Sequence, residues 1–358
     1  MKVLLATSST GWSGGQHQVY LLAKGLKARG HAITVVTSHN SELARRFDPG
    51  DGIDIQCFRM NKEADVLSMI HMAGFLKKRK FDIINVHRPT AHTITMVANI
   101  LAGHAGFVVT RRVPYGIPSR ASAAIKYEWF VDRVIAISND VRQSLVRTGV
   151  HEDHIAVIPD AIDCAHFDPR TILPAPELAG RGPVIGTVGN ANKQKGHQYL
   201  LEAIPGILKH YPGARFVDVG VHEGDTGLVG LATDLGIRDA ILFAGIQRDV
   251  RPFLKAMDVF VFPSIVEGLG TALLEAMAMQ RPVVVSRTGG MVDIVVHGKN
   301  GVFVEPASPQ EIADAVCGLL RDMDSARELG RQARITIEQS FSVPVVAQRT
   351  EELFRTLL

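Results

Sequence analysis

Residues 258–277, DVFVFPSIVEGLGTALLEAM, pass from a short apolar run through a glycine-broken turn into a helical pattern. Residues 259–262 are β-branched or aromatic, which predicts a buried strand. From Ala272 to Met277 the apolar side chains recur at helical spacing, and Pro282 marks the end of that helix. The stretch therefore predicts a strand, a loop and a helix in that order, which is the repeating unit of an α/β fold.

The same alternation of apolar strands and helices continues along the whole chain. Strands are predicted near residues 3–6, 33–37, 53–55, 83–86, 106–110 and 134–138, and again near 183–189, 215–219, 240–244, 259–262 and 282–286. Between the two series, residues 160–176 hold three prolines and little periodicity, which indicates a hinge. Continuous apolar strands separated by helices are typical of parallel sheets covered on both faces. We therefore expect two Rossmann-like domains that face a central cleft.

Length and composition agree with a two-domain α/β protein. The chain has 358 residues, 46% of them hydrophobic, and exceeds the size of a comfortable single core. Its three cysteines, Cys57, Cys164 and Cys317, are far apart in the sequence, so free thiols in a reducing compartment are expected. The first residues turn polar too early for a signal peptide, and no apolar run is long enough to span a membrane. A cytoplasmic location is the resulting expectation.

Positive charge is concentrated in the first half of the chain. Residues 1–165 carry 20 Lys/Arg and 14 Asp/Glu, whereas the remaining residues carry 19 and 22. The run Lys77-Lys78-Arg79-Lys80 lies beside Phe75, Leu76 and Phe81, a combination that suggests a peripheral contact with the inner face of the cytoplasmic membrane. A recognised nucleic-acid-binding motif is missing and the chain is close to neutral, so nucleic acid is not an expected partner.

A glycine-rich loop, Thr10 to His17, separates the first predicted strand from the first helix. Its spacing differs from the Gly-x-Gly-x-x-Gly fingerprint of dinucleotide-binding proteins. Gly14 and Gly15 still permit close approach of the backbone to a ligand, and a helix that begins near Gly15 has free N–H groups at its start. We therefore interpret this loop as a ligand contact.

A second turn of this kind, residues 188–196, opens the second domain. Lys195 comes directly before Gly196, where the next helix begins, and adds positive charge to the N-terminus of that helix. A diphosphate leaving group gains negative charge as its bond to a sugar breaks. A fixed cation at this place would therefore stabilise the transition state more than the ground state.

Glu267 and Glu275 lie on either side of the glycine-broken turn. Gly268 and Gly270 let the backbone come close to a ligand, and the helix N-terminus that follows is a ready anion site. Carboxylates beside an anion site fit a ligand with hydroxyl groups on both sides of its phosphates, and a nucleotide-sugar is such a ligand. Glu275 is one helical turn beyond Thr271, about 6 Å along the axis, in reach of a second hydroxylated group.

In their order and spacing these motifs resemble family 4 of the retaining glycosyltransferases, the "glycosyl transferases group 1", whose two-domain fold is called GT-B. The resemblance extends over nearly the whole chain. It rests on Gly14-Gly15, Arg29-Gly30-His31, Ile135-Ala136-Ile137-Ser138, Ile158 to Asp163, Val188-Gly189 with Lys195-Gly196, Pro263-Ser264 with Glu267 and Glu275-Ala276-Met277, Thr288-Gly289-Gly290 and Asn300 to Val304.

The resemblance implies domain roles and donor-binding residues. Residues 1–165 would bind the acceptor, residues 166–340 the nucleotide-sugar, and residues 341–358 would form a C-terminal helix that returns to the first domain. Glu267 would contact the hydroxyls of the donor sugar, Glu275 the ribose, and Lys195 the diphosphate. The implied donor-binding residues are Gly14, Gly15, Asn190, Lys195, Glu267, Gly268, Leu269, Gly270, Thr271 and Glu275. No metal and no cofactor would be required beyond a UDP- or GDP-linked sugar as co-substrate.

Two departures from the family pattern concern the positive charges. The family usually has an arginine directly after Gly189, where this chain has Asn190, so Lys193 or a first-domain arginine is expected to replace that cation. Many members end the strand at residues 108–110 with a histidine, whereas this chain has Arg111 and Arg112. Arg112 is therefore predicted to act in catalysis together with Glu267 and Lys195, and Arg111 to contact the acceptor.

Further acceptor contacts are predicted after the strand that ends at Val86, where His87, Arg88 and His92 follow. The expected activity is transfer of a sugar, with retention of configuration, to a saccharide or lipid-linked acceptor in the synthesis of cell-envelope glycans such as lipopolysaccharide. Two alternatives remain open at this point. One is a non-catalytic GT-B protein that binds sugar nucleotides, and the other is a GT-B nucleotide-sugar epimerase.

Overall fold

A computed structural model describes residues 1–103, 105–116, 119–180 and 182–358. The chain divides into two compact units, one formed by Met1–Ala161 with Ser342–Leu358 and the other by Ile162–Phe341. The expected assignment of residues 1–165 to the acceptor and of residues 166–340 to the nucleotide-sugar stays a prediction.

The strands of each unit form one parallel sheet. In the first unit seven strands lie in the order β3-β2-β1-β4-β5-β6-β7, and in the second six strands lie in the order β10-β9-β8-β11-β12-β13. The strands are β1 (Lys2–Ala6), β2 (Ala32–Ser38), β3 (Asp54–Phe58), β4 (Ile83–Val86), β5 (Gly106–Arg111), β6 (Arg133–Ala136), β7 (Ile155–Val157), β8 (Val184–Val188), β9 (Arg215–Val219), β10 (Ile241–Gly245), β11 (Val259–Phe262), β12 (Val283–Ser286) and β13 (Val302–Val304).

Helices connect these strands and cover the sheets. They are α1 (Gly14–Ala28), α2 (Glu42–Arg45), α3 (Val66–Arg79), α4 (Pro89–Ala102), α5 (Arg120–Ala124), α6 (Asn139–Arg147), α7 (His197–His210), α8 (Thr226–Asp234), α9 (Arg251–Ala256), α10 (Thr271–Ala278), α11 (Pro309–Arg321), α12 (Met323–Ser340) and α13 (Val343–Arg355). Every residue of β11 and β12 is buried, which agrees with strands covered on both faces.

The C-terminal helix α13 packs on α1 of the first unit, as the fold resemblance predicted. Gly25 permits the close approach, because a Cβ at this position would lie only 2.8 Å from the Ala347 Cβ. Glu351 fixes α13 further by accepting hydrogen bonds from Arg355 and Arg29. These two arginines, Arg355 first, lower the pKa of Glu351 to about 2. The helix is therefore held by both packing and charge.

Candidate active site

The loop that carries Glu267 connects β11 to α10 and is fixed by its neighbours on both sides. The N–H of Ile265 donates to the Gln194 carbonyl at 2.8 Å, and the N–H of Gly290 donates to the Glu267 carbonyl at 3.2 Å. Gly289 has a φ of +54°, and a Cβ there would collide with that same Glu267 carbonyl oxygen. The backbone around Glu267 is therefore set by contacts from two other loops of the second unit.

Lys195 and Glu267, both predicted to act in catalysis, form an ion pair between the lysine Nζ and the carboxylate Oε2. The Lys195 ammonium also lies 5.5 Å from the centre of the Phe262 ring, which favours a cation. The two side chains remain 27% and 17% exposed, so both are accessible to a ligand. The structure thus brings together a cation and a carboxylate that lie 72 residues apart in the sequence.

The glycine-broken turn leads directly into α10. Gly270 precedes the helix with a φ of +93°, and a Cβ at this position would lie 2.9 Å from the Phe262 ring, so glycine is required for both conformation and space. Leu269 is buried, whereas Thr271 is half-buried at the first helical position. No side chain among the described residues caps α10. Its first N–H groups are therefore available for an anion.

Glu275 lies one turn further along α10 and is half-buried. Burial raises the pKa of its carboxyl to about 8. Within the described ranges no hydrogen bond or ion pair engages this carboxyl. Near neutral pH the group keeps its proton and can both donate to and accept from hydroxyl groups. This chemistry fits the predicted ribose contact, which stays a prediction.

The loop between β8 and α7 contains Asn190, Lys193 and Lys195. His197, the first residue of α7, is buried; its Nε2 lies 3.0 Å from the Asn190 carbonyl and its Nδ1 lies 2.7 Å from the Asp218 Oδ2. Burial raises the pKa of Asp218, and the hydrogen bond to His197 opposes this effect. The His197–Asp218 pair thus positions the loop through the contact with the Asn190 carbonyl.

Sequence reasoning missed the His197–Asp218 pair, although one signal was present. Asp218 is a fully buried carboxyl in the middle of the apolar strand β9. Such a residue needs a partner, because an unpaired buried charge is costly. The histidine that pairs with its Oδ2 is the first residue of α7.

Asn190, which replaces the expected arginine, is exposed, and so is Lys193. No hydrogen bond or ion pair engages the Lys193 side chain within the described ranges, and the residue lies on the short 3₁₀ turn that ends with Lys195. It is therefore an available cation on the same loop. It also lines a recess of about 620 Å³ between α7 and α8, whose walls do not include Lys195, Glu267 or Glu275.

In the first unit, Arg112 is held by two buried groups. Its Nε donates to the Asp160 Oδ1 at 2.9 Å and its Nη1 lies 3.0 Å from the His87 Nδ1. Burial raises the pKa of Asp160, although the Arg112 charge opposes this shift. Burial, and then the charge of Arg112, hold the pKa of His87 well below its ordinary value. Arg112 is thus committed to contacts within its own unit, and its predicted catalytic role stays untested.

A cavity of about 410 Å³ in the first unit brings together the predicted acceptor residues. His87, Arg88, His92 and Arg111 all line it, together with Gly15, Arg112, Pro89, Val109, Thr110, Val113, Tyr115 and Tyr127. Gly14 is not among the lining residues and instead begins α1. The guanidinium of Arg111 bonds to the carbonyls of Tyr115 and Val113 and lies 3.3 Å from the Tyr127 hydroxyl.

The parts of the chain that the structure describes contain no group of three or more His, Cys, Asp or Glu side chains that could hold a metal ion. In the same ranges, none of the helices has the length and apolar character needed to cross a membrane.

Two parallel sheets of seven and six strands, each flanked by helices, define a two-domain α/β protein of the GT-B type. Two family models match the chain. "Glycosyltransferase Family 4" matches residues 12–166, and "Glycosyl transferases group 1" matches residues 182–322. The chain belongs to glycosyltransferase family 4, as its motifs indicated.

Individual relatives agree with this assignment. The chain is 27% identical to an uncharacterized glycosyltransferase of Methanocaldococcus jannaschii, over 93% of this chain and 92% of the relative. It is also 27% identical to the UDP-Gal:alpha-D-GlcNAc-diphosphoundecaprenol alpha-1,3-galactosyltransferase of Escherichia coli, over 83% of this chain and 81% of that enzyme.

Solved structures show the same fold. A glycosyltransferase from Rickettsia africae superimposes with a TM-score of 0.88 at 23% identity, covering 99% of this chain and 98% of that one. HepE of Anabaena, crystallised in complex with UDP, superimposes with a TM-score of 0.85 at 20% identity, covering 99% of this chain and 100% of that one.

Proposed function

We propose that this glycosyltransferase takes its sugar from a nucleotide-sugar, with UDP or GDP as the nucleotide, and transfers it with retention of configuration. The observation that carries the proposal is the Lys195–Glu267 ion pair beside the uncapped N-terminus of α10. A diphosphate needs positive charge and N–H donors, and the sugar and ribose on either side of it need hydroxyl-binding carboxyls. Lys195, the α10 amides, Glu267 and Glu275 supply these groups within one unit.

In the proposed reaction Lys195 and the N–H groups of α10 stabilise charge on the diphosphate as it leaves. The acceptor hydroxyl attacks the anomeric carbon from the face that the diphosphate leaves, and the bond from that carbon to the diphosphate oxygen breaks. A donor phosphate oxygen takes the proton of the attacking hydroxyl, so no side-chain base is required. The fixed cation and dipole act most strongly on the charge that develops in the transition state. We propose that they do so without a metal ion.

The proposed acceptor is a saccharide or a lipid-linked saccharide of the cell envelope. The Escherichia coli relative is named for an acceptor linked to diphosphoundecaprenol, which supports this class. The 410 Å³ cavity of the first unit, lined by His87, Arg88, His92 and Arg111, has the size and polarity to take one sugar residue. Gly15 allows the backbone of α1 to approach the same ligand.

Contact with the inner face of the cytoplasmic membrane is supported by the outer face of α3. Val66, Leu67 and Ile70 are each more than half exposed on this helix, and the basic run Lys77–Lys80 is at its C-terminal end. A helix that exposes apolar side chains near its start and lysines at its end offers both kinds of contact to an anionic bilayer. A Leu67→Gln/Ile70→Gln variant should bind phosphatidylglycerol vesicles about tenfold more weakly. Equal binding of variant and wild type would remove this contact from the proposal.

A screen of UDP-, GDP- and ADP-sugars tests the donor class. We expect one nucleotide-sugar to raise the melting temperature and to be consumed when membrane extract supplies the acceptor. Product analysis with a labelled donor distinguishes transfer to an acceptor from epimerisation of the donor sugar. A nucleotide-sugar that raises the melting temperature but is not consumed would favour the non-catalytic alternative. The feature that supports this alternative is the exposed Asn190, which stands where the family usually has an arginine.

A further inference from the structure

We propose that the 410 Å³ cavity of the first unit, here called the arginine cavity, binds an oxyanion, and that the His87 Nε2–H is a fixed donor to it. The oxyanion would be a phosphate or a carboxylate group carried by the acceptor. The inference rests on the proposed function only in taking the occupant to be the acceptor. The chemistry of the cavity walls supports the anion site itself.

The tautomer of His87 follows from its contact with Arg112. A guanidinium can only donate, so the Arg112 Nη1–H donates to the His87 Nδ1 at 3.0 Å, and that nitrogen carries no proton. The pKa of His87 lies well below its ordinary value because the ring is buried and Arg112 is positively charged. The ring is therefore neutral near pH 7, and its single proton resides on Nε2.

This Nε2–H is a donor without an acceptor. The nitrogen is buried and has no hydrogen-bond partner among the residues that the structure describes. Buried donors almost always form a hydrogen bond, and a buried donor without an acceptor is unfavourable. His87 lines the arginine cavity, so an oxygen atom of a ligand there can supply the missing acceptor.

Arg112 and Asp160 act as positioning residues for His87. The carboxylate of Asp160 binds the Arg112 Nε at 2.9 Å and thereby fixes the guanidinium that faces the imidazole. Because Asp160 balances the charge of Arg112, this arginine adds little net charge to the cavity. Its effect is to hold the proton of His87 on the ring nitrogen away from Arg112.

The net positive charge of the cavity comes from Arg88 and Arg111. The carbonyls and the hydroxyl that bind Arg111 are neutral groups and leave its charge intact. Arg88 is exposed, and within the described ranges its guanidinium forms no hydrogen bond or ion pair. The nearby carboxylates are already paired, Asp160 with Arg112 and Glu63 with Lys126. Two uncompensated arginines and one buried N–H donor match an oxyanion better than a neutral hydroxyl.

The remaining walls indicate that the oxyanion is attached to a larger group. Val109, Val113 and Pro89 give the cavity apolar surface, and Tyr115 at its edge is 54% exposed. A sugar ring presents apolar C–H groups that pack against such walls. The chemical class that fits the whole cavity is therefore a sugar that carries a phosphate or a carboxylate.

Titration of the full-length protein with inorganic phosphate, glucose 6-phosphate, glucuronate and glucose tests the inference. The imidazole ¹⁵N NMR signals of histidine-labelled protein report on the site directly, and the His87 signal is assigned by its loss in His87→Gln. We expect the Nε2–H tautomer for His87, a shift of its signal on adding glucose 6-phosphate or glucuronate, and binding of glucose at least about tenfold weaker. The stronger of the two charged sugars identifies phosphate or carboxylate as the source of the oxyanion.

Matched variants separate this site from other anion sites. Arg88→Gln and His87→Ala should weaken glucose 6-phosphate binding about tenfold or more. His87→Gln, whose amide can still donate, should recover most of the loss, and Arg147→Gln, an exposed arginine of α6, should change nothing. Arg112→Leu removes the donor to the His87 Nδ1 and should therefore change the imidazole ¹⁵N signals that report the tautomer of His87.

Three results would overturn the inference. One is equal binding of glucose and glucose 6-phosphate, another is an Nδ1–H tautomer, and the third is a loss of anion binding in Lys195→Ala but not in Arg88→Gln. Nucleotide binding is measured on the same samples. If it persists while the arginine cavity binds no anion, the inference fails and the proposed function stands.

Discussion

The Glu275→Gln variant separates the effect of this buried carboxyl on stability from its effect on nucleotide binding. Burial raises the pKa of Glu275 from 4.5 to about 8. The folded state therefore binds this proton more tightly than the unfolded state. The free energy of unfolding consequently falls as the pH rises through this window, because the unfolded chain loses the proton first. A glutamine has no such titration, so the variant should be the more stable protein at neutral and higher pH.

The size of the stability difference follows from the interval between the two pKa values of Glu275. The interval from 4.5 to about 8, at about 1.4 kcal/mol per pH unit, sets a ceiling of about 5 kcal/mol. Solvent reaches part of the half-buried side chain, and its screening lowers the expected difference to about 1–3 kcal/mol. The difference should be near zero below pH 4.5, grow up to pH 8 and stay constant above it.

Urea denaturation of wild type and variant from pH 4.5 to pH 8.5, followed by circular dichroism, measures this difference. Glu202→Gln, an exposed glutamate on α7, is the matched control and should show no such trend. At a pH above about 8, where the wild-type carboxyl is ionised, the same Glu275→Gln protein should bind the nucleotide about 1–3 kcal/mol more weakly if the carboxyl contacts the ribose. At lower pH the difference should be small, because the protonated carboxyl and the amide can both donate and accept. A variant whose stability follows the wild type at every pH would refute the reasoning about burial.

Three further predictions address the other fixed groups. Arg112→Met leaves the buried Asp160 unpaired and should lower the free energy of unfolding by about 3–5 kcal/mol in denaturant titrations. The double variant Arg112→Met/Asp160→Leu should recover most of this loss. An Arg112→Met protein as stable as wild type would show that the pair is dispensable. Gly289→Ala should lower turnover through displacement of Glu267, because the new Cβ collides with its carbonyl, whereas exposed Gly213→Ala should have no effect. EDTA should leave activity within about twofold, since Lys195 supplies the cation; loss of turnover that magnesium restores would contradict metal-free transfer.

Local patterns in the sequence were sufficient to predict eleven of the thirteen strands that the structure describes, whereas β7 and β13, with three residues each, were not predicted. The β11–α10 unit follows directly from the apolar run, the glycines and the helical spacing of residues 258–277. The meeting of Lys195 with Glu267 needs one further fact, that β8 lies beside β11 in the sheet. This strand order is set by packing between distant segments, which the periodicity of the sequence does not reveal.

Contacts between distant buried polar groups could not be predicted in the same way. Asp160 lies 48 residues from Arg112, and the burial that makes their pairing necessary exists only once the sheet of the first unit has formed. The same holds for the raised pKa of Glu275, because its surroundings come from packing in the folded unit. Sequence patterns indicate which residue types are present, whereas the folded environment decides which of them are charged, paired or available.

Transfer of labelled sugar from a nucleotide-sugar by wild type, Lys195→Ala and Lys209→Ala tests the central claim most directly. Lys209 is an exposed lysine at the other end of α7 and serves as the matched control. We expect Lys195→Ala to lower turnover about 100-fold or more, Lys209→Ala to leave it unchanged, and the product to keep the anomeric configuration of the donor. Undiminished turnover in Lys195→Ala, or a product of inverted configuration, would contradict the claim.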